Sequence, residues 1–174
     1  MASEAMRSRV RTFGAMALVL VALAGCENEE KKSRAMVERG AYLAAIMVCA
    51  DCHTPGGLKG QHDWARVYTG SDIPFFMPGQ GYFFPPNLTS DADTGLGKWS
   101  REQIADAITH GTRPDGRELV PIMPWRFYKT LTREDALALS AYLQSLKPVS
   151  NAVPAPVGAD GPPPGPYMTI VVPQ

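Results

Sequence analysis

This chain is short of cysteine, histidine and long apolar runs, and it carries no excess charge of either sign. Three cysteines in 174 residues are too few for a disulfide framework. Seventeen Lys+Arg against 17 Asp+Glu removes the electrostatic signature of nucleic-acid binding. No apolar run reaches the ~20 residues of a membrane helix. The most apolar stretch, Phe13–Gly25, has 13 residues and follows Arg7, Arg9 and Arg11, which is the pattern of a signal-peptide core. No internal repeat is present, and the length is one domain's worth.

What is present is concentrated. Two of the three cysteines and one of the three histidines lie in VCADCHTP, residues 48–55. Cys49, Cys52 and His53 form Cys-x-x-Cys-His, the pattern for attaching a c-type haem. Two thiols separated by two residues reach neighbouring edges of one porphyrin as thioethers, and the adjacent imidazole reaches the iron from the proximal side. A redox Cys-x-x-Cys needs a strand–turn–helix setting and no following histidine. A zinc site needs a second ligand pair, and His62 and His110 are not arranged as one. A disulfide across two residues is strained. One such motif implies one covalent haem.

The third cysteine, Cys26, ends LAGC, which resembles the lipobox of bacterial lipoproteins. The resemblance implies cleavage before Cys26 and lipid on its thiol, with several acyl chains giving stable anchoring. The organisation expected is a lipoprotein signal peptide over residues 1–25, a charged tether over 26–33, a haem domain over 34–148 and a Pro-rich tail over 149–174. Loss of residues 1–25 removes Glu4 and three arginines, so the exported chain carries a net charge of about −2.

Ser33 is placed to cap a first helix that runs from Arg34 and delivers Cys49 at its end. Gly40 inside it has a reason if another helix approaches closely. From Pro55 to Pro86 no helical or strand period holds. The abundance of Trp64, Phe75, Phe76, Met77, Tyr82, Phe83 and Phe84 argues for an ordered loop region with short turns. Ser100 and Gln103 make a capping box for a second helix, with Ile104 and Ile108 on one face and Gly111 as C-cap. A third helix follows Thr132 and buries Leu139, Tyr142, Leu143 and Leu146; Pro148 ends it. The tail, rich in proline, is expected to be extended or disordered on the domain surface.

The iron face opposite His53 can take Met, His or remain open, and each implies a different function. Met36 and Met47 lie on the first helix and Met168 in the tail. Met77 and Met123 sit in Pro-flanked loops, which hold a ligand at small entropic cost; Met123 is favoured, with His110 as runner-up. Asp91, Asp93 and Glu102 mimic a calcium loop, but Leu96 stands where its sharp turn needs glycine. His62 is expected in an exposed loop. Trp99 and Trp125 are expected to be packing residues that can also reach a propionate, and Arg113 and Arg126 are propionate candidates.

Asn87–Thr89, Thr94–Trp99, Arg113–Gly116 and Met123–Pro124 together resemble class I c-type cytochromes. They are similar in particular to the cytochrome domains in the haem subunits of bacterial membrane-bound alcohol, aldehyde and gluconate dehydrogenases. The resemblance spans residues 35–148. It implies an all-α, small cytochrome c-like fold of three or more helices around one covalent haem, with long ordered loops and with first and last helices crossing. It also implies that the methionine of the Met-Pro pair, Met123, ligates the iron. Those subunits carry three such domains and this chain has one. The function expected is electron transfer by a non-enzymatic haem c protein. It would be exported to the periplasmic side of a bacterial membrane and anchored there by lipid, with a dehydrogenase or respiratory complex as redox partner and no nucleic acid. The alternatives are a haem-based small-ligand sensor with an open sixth position and an obligate haem subunit of a dehydrogenase complex.

Overall fold

A computed structural model describes residues 27–171; the proposed signal peptide and Cys26 lie outside them. The first helix, α1, covers residues 27–46. It therefore begins before Ser33, which sits within it and is no N-cap. The run EKK and its neighbours have good helix propensity, and this carries the helix through the expected tether. The chain divides into two compact units after Met36. In the first, an Arg34–Glu30 pair at i,i+4 is 3.4 Å apart and exposed.

α1 stops at residue 46, a turn covers Met47 and Val48, and α2 then spans Cys49–His53. Val48 breaks the helix with φ 51°, a conformation that costs a β-branched residue about 1–3 kcal/mol. The single helix expected as far as Cys49 is thus two, and the break re-aims the cysteines. Short 3₁₀ turns follow at Gly57–Lys59 and Trp64–Arg66. The remaining helices are α3 (Arg101–His110), α4 (Trp125–Tyr128) and α5 (Arg133–Ser145).

The helix signals act where the sequence places them. Ser100 Oγ accepts from the Gln103 N–H while the Gln103 side chain accepts from the Ser100 N–H, and Gly111 closes α3 at φ 71°. Thr132 Oγ1 accepts from the Asp135 N–H at the start of α5. Leu43, Ala44, Ile104, Ile108, Leu139 and Leu143 are buried together with Tyr68 and Leu96; each large aliphatic there is worth ~1.5–3 kcal/mol. α1 and α5 cross at Gly40, and the Arg39 guanidinium grips Asp135 on α5 at 2.8 and 3.2 Å.

The loop from Pro55 to Pro86 contains one element that its sequence did not announce. β1 (Phe75–Met77) and β2 (Gly81–Phe83) form an antiparallel hairpin with Phe75 opposite Phe83 and Met77 opposite Gly81. Strands of three residues are too short to display a period. The tail completes the hairpin. Tyr82 exchanges backbone bonds with Val157, the Phe76 N–H donates to the Met168 carbonyl, and the Met168 N–H donates to that of Pro74. Tyr167 packs edge-on against both Phe76 and Tyr82.

Asn87 organises the loops. It is 1% exposed, and its Nδ2 donates to the Val149 carbonyl and Thr94 Oγ1 at 2.8 and 3.0 Å. Its Oδ1 accepts from the Thr89 N–H and hydroxyl at 2.9 and 2.8 Å. Thr94, in turn, donates to Asp91 Oδ1. The Asp91 carboxyl is held below its ordinary value chiefly by Thr94, so this acid shapes a turn.

Candidate haem site

α2 is barely more than one turn, so Cys49, Cys52 and His53 sit within a single winding of backbone. His53 is 7% exposed. Its Nδ1 lies 2.8 Å from the Pro86 carbonyl oxygen. A carbonyl can only accept, so Nδ1 carries the hydrogen and Nε2 carries the lone pair. That is the tautomer and restraint a metal-binding imidazole needs. Burial pushes the His53 pKa down, against the Pro86 bond, which keeps the ring neutral and able to ligate. Backbone bonds fix the histidine further: the Gly70 N–H donates to its carbonyl at 2.8 Å. Fully buried Thr54 accepts the Tyr68 N–H at 3.2 Å.

Cys49 and Cys52 are free and half-buried. Burial pushes the Cys49 thiol up to about 11, and Cys52 is raised by the same cause. A redox dithiol works by lowering a cysteine pKa; these two are shifted the other way. The donor set fits covalent haem, with two protonated thiols available for thioether bonds and one neutral imidazole with its lone pair free.

Two tyrosines border the thiols that sequence reasoning did not select. Burial pushes the Tyr128 phenol up to about 12, with Cys49 and Cys52 adding to it, and its hydroxyl donates to the Met47 carbonyl at 3.3 Å. The Tyr68 phenol is raised chiefly by burial, with Tyr142 and Cys49 contributing, and it meets the Tyr142 ring edge-on at 6.0 Å. Neither has a local sequence signal, because both reach the thiols through distant contacts.

Met123 is half-buried in a tight turn: its N–H donates to the Val120 carbonyl at 3.1 Å, and its own carbonyl accepts from Trp125 at 2.8 Å. α4 begins two residues later and places Tyr128 against the α1–α2 junction, so the Met-Pro loop leads directly to the cysteines' surroundings. Met77 ends β1 opposite Gly81. His110 is exposed at the end of α3, its ring bonded to Thr109 Oγ1 at 2.8 Å. His62 is not the exposed loop residue expected. Its side chain is only 15% accessible, its Nε2 lies 2.9 Å from Asp51 Oδ1, and Trp64 stacks on it at 4.5 Å. Trp125 is a packing residue, covering Gly111 and donating its indole N–H to the Leu119 carbonyl at 3.1 Å. Arg126 lies over its ring, and Arg113 lies over Trp99 while bonding Asp115.

A small helical domain that presents Cys-x-x-Cys-His on one turn, with its histidine tautomer set by a backbone carbonyl, defines a c-type haem protein. The chain belongs to the cytochrome c family, whose pattern matches residues 37–147. It is 37% identical over 123 residues to a nicotinate dehydrogenase subunit of Pseudomonas putida, covering 71% of this chain and 10% of that one. It is 33% identical over 141 residues to the cytochrome c subunit of the quinone alcohol dehydrogenase of Gluconacetobacter polyoxogenes, covering 80% and 28%. With the fructose dehydrogenase cytochrome subunit of Gluconobacter japonicus it shares 36% over 122 residues, covering 70% and 24%. The match thus takes in less than a third of the length of each of these relatives. This chain is a c-type cytochrome similar to those subunits, with the small cytochrome c-like fold.

Proposed function

We propose that this protein is a non-enzymatic electron carrier with one haem c, attached through Cys49 and Cys52 and ligated axially by His53 and Met123. The observation that carries the ligation is the 2.8 Å bond between His53 Nδ1 and the Pro86 carbonyl, which leaves Nε2 as the ligand atom. A bound haem supplies a one-electron iron couple. The chain's own residues hold that couple in place. Thioethers from Cys49 and Cys52 would prevent loss of the group outside the cytoplasm, and His53 with the soft, neutral thioether of Met123 would close the iron to oxygen and raise its potential. Export by residues 1–25 and lipid on Cys26 would keep the carrier at the periplasmic face of a bacterial membrane. Among the described residues no helix is long and apolar enough to cross it.

The redox partner proposed is a dehydrogenase, because the relatives are named as dehydrogenase subunits. Obligate membership of such a complex is the second reading, supported by the same names. Expression with periplasmic haem-maturation machinery tests the first reading. The expected product is coloured, one haem heavier than the polypeptide, and slow to bind carbon monoxide when reduced. A colourless product of unmodified mass rejects the carrier. Rapid carbon monoxide binding favours the sensor. Purification of the lipidated protein from its native membrane separates a free carrier from a subunit by what accompanies it.

A further inference from the structure

Asn151 lies in the segment after α5, outside the helices that define the domain. We propose that it is a positioning residue for the proximal imidazole, an inference that rests on His53 being the iron ligand. Two loops surround that histidine. One, residues 66–71, supplies the Gly70 N–H that donates to the His53 carbonyl at 2.8 Å. The other, residues 85–89, supplies the Pro86 carbonyl that takes the ring hydrogen. The two are bonded to each other by the Ser71 N–H on the Pro85 carbonyl and the Leu88 N–H on the Tyr68 carbonyl, at 3.0 and 2.8 Å.

Asn151 ties into both. Its Nδ2 donates to the Thr69 carbonyl at 2.7 Å. That carbonyl belongs to the same peptide group as the Gly70 N–H, so one planar amide accepts from Asn151 at one end and donates to His53 at the other. Hydrogen bonds in such a chain polarise and strengthen each other. The Asn151 backbone N–H donates to Thr94 Oγ1 at 3.0 Å, an oxygen that also accepts from Asn87 Nδ2 at 3.0 Å, next to Pro86. The Asn151 Oδ1 accepts from the Arg66 guanidinium at 3.2 Å. Two residues on, Val153 packs against Gly70 so tightly that a Cβ there would stand 2.5 Å from its Cγ1 and 3.1 Å from the Pro85 oxygen. Thr69 is fully buried, so water does not replace Asn151 without the loop opening.

An imidazole that donates strongly through Nδ1 is a stronger ligand through Nε2 and favours the oxidised iron. The Thr69–Gly70 peptide holds the His53 backbone carbonyl, and the adjoining Ser71 N–H holds the Pro85 carbonyl, so loosening that peptide lets the ring and its Pro86 acceptor shift apart and weakens the donation. The full-length, haem-loaded Asn151→Ala protein is therefore expected to have a reduction potential above wild type. Its His53 Nδ1 hydrogen should exchange with solvent about tenfold faster, by NMR of the paramagnetically shifted signals. Asn151→Asp keeps the backbone donor and the acceptor for Arg66 but loses the Nδ2 donor; it should shift both readouts in the same direction, and it carries the test if the alanine variant does not accumulate. A chain ending at Gly161, which lacks the Met168 pairing but keeps Asn151, should match wild type in both. Wild-type values in the Asn151 variants, or an equal shift in the shortened chain, overturn the inference. A wild type without haem overturns the site reading and this inference with it; a haem-loaded wild type beside unshifted variants overturns the inference alone.

Discussion

Gly40 on α1 lies directly against the Cβ of Tyr142 on α5: a Cβ added to Gly40 would stand 2.7 Å from Tyr142 Cβ and overlap the Ala138 carbonyl. No side chain relaxes away from a carbonyl held in a helix. Gly40→Val should therefore lower stability by about 1–3 kcal/mol, the usual penalty of overpacking, read as a fall in the guanidinium midpoint. An unchanged midpoint would mean that the helices do not cross there.

Asn87→Ala removes four hydrogen bonds at once, two of them buried, and strands the Thr89 N–H, while the Val149 carbonyl and Thr94 hydroxyl keep only the Thr89 hydroxyl and the Asn151 N–H as donors. Unsatisfied buried groups cost ~1–3 kcal/mol each, so a loss of about 3 kcal/mol is expected in chemical unfolding. Asn87→Asp, which keeps Oδ1 and loses the Nδ2 donor, should fall between alanine and wild type.

Met123→Ala should abolish the far-red sulfur-to-iron band of the oxidised protein and let the reduced protein bind carbon monoxide at once, by loss of the thioether ligand. Met77→Ala should keep the band. The opposite pattern in the two variants would reassign the ligand to the β-hairpin.

The Asp135 carboxyl is held below its ordinary value chiefly by its hydrogen bond to the Arg39 guanidinium. The unfolded chain therefore takes up this proton first as pH falls. The pair's contribution to stability is in place above pH ~4, the ordinary carboxyl range, and is lost as pH drops through the folded value. Wild type should melt above Asp135→Asn at neutral pH, with the gap closing below pH ~4. A gap that persists in acid would argue against the ion pair.

Gly81 adopts φ 117° and faces Val157 and Gly158, where a Cβ would approach the Gly158 Cα to 2.9 Å. Gly81→Val should detach the outer tail from β2 and speed thermolysin cleavage there, while the haem absorption stays as in wild type. Equal cleavage rates would show that the Tyr82–Val157 pairing does not hold the tail.

Much of this architecture was legible because its signals are local. The capping box at Ser100, the glycine after His110, the Thr132 cap and the apolar face through Leu139 and Leu143 each act within one or two helical turns. Cys-x-x-Cys-His is likewise a matter of adjacent residues. Gly40 announced a close approach by its cost inside a helix.

The features decided by tertiary structure depend on partners far away in the chain. The helix propensity of the charged run before Ser33 outweighs that residue's preference for a cap, and Val48 carries no local signal of a break. Phe75–Met77 and Gly81–Phe83 are too short to show alternation, and become strands because the tail pairs with both of their edges. His62 read as exposed because neither Asp51 nor Trp64 is tied to it by periodicity. Spacing along the chain determined which atoms can attach a haem. Contacts spanning 33 residues from His53 to Pro86 and 82 from Thr69 to Asn151 decided how the imidazole is held, since a hydrogen bond between loops exists only once packing has brought them together.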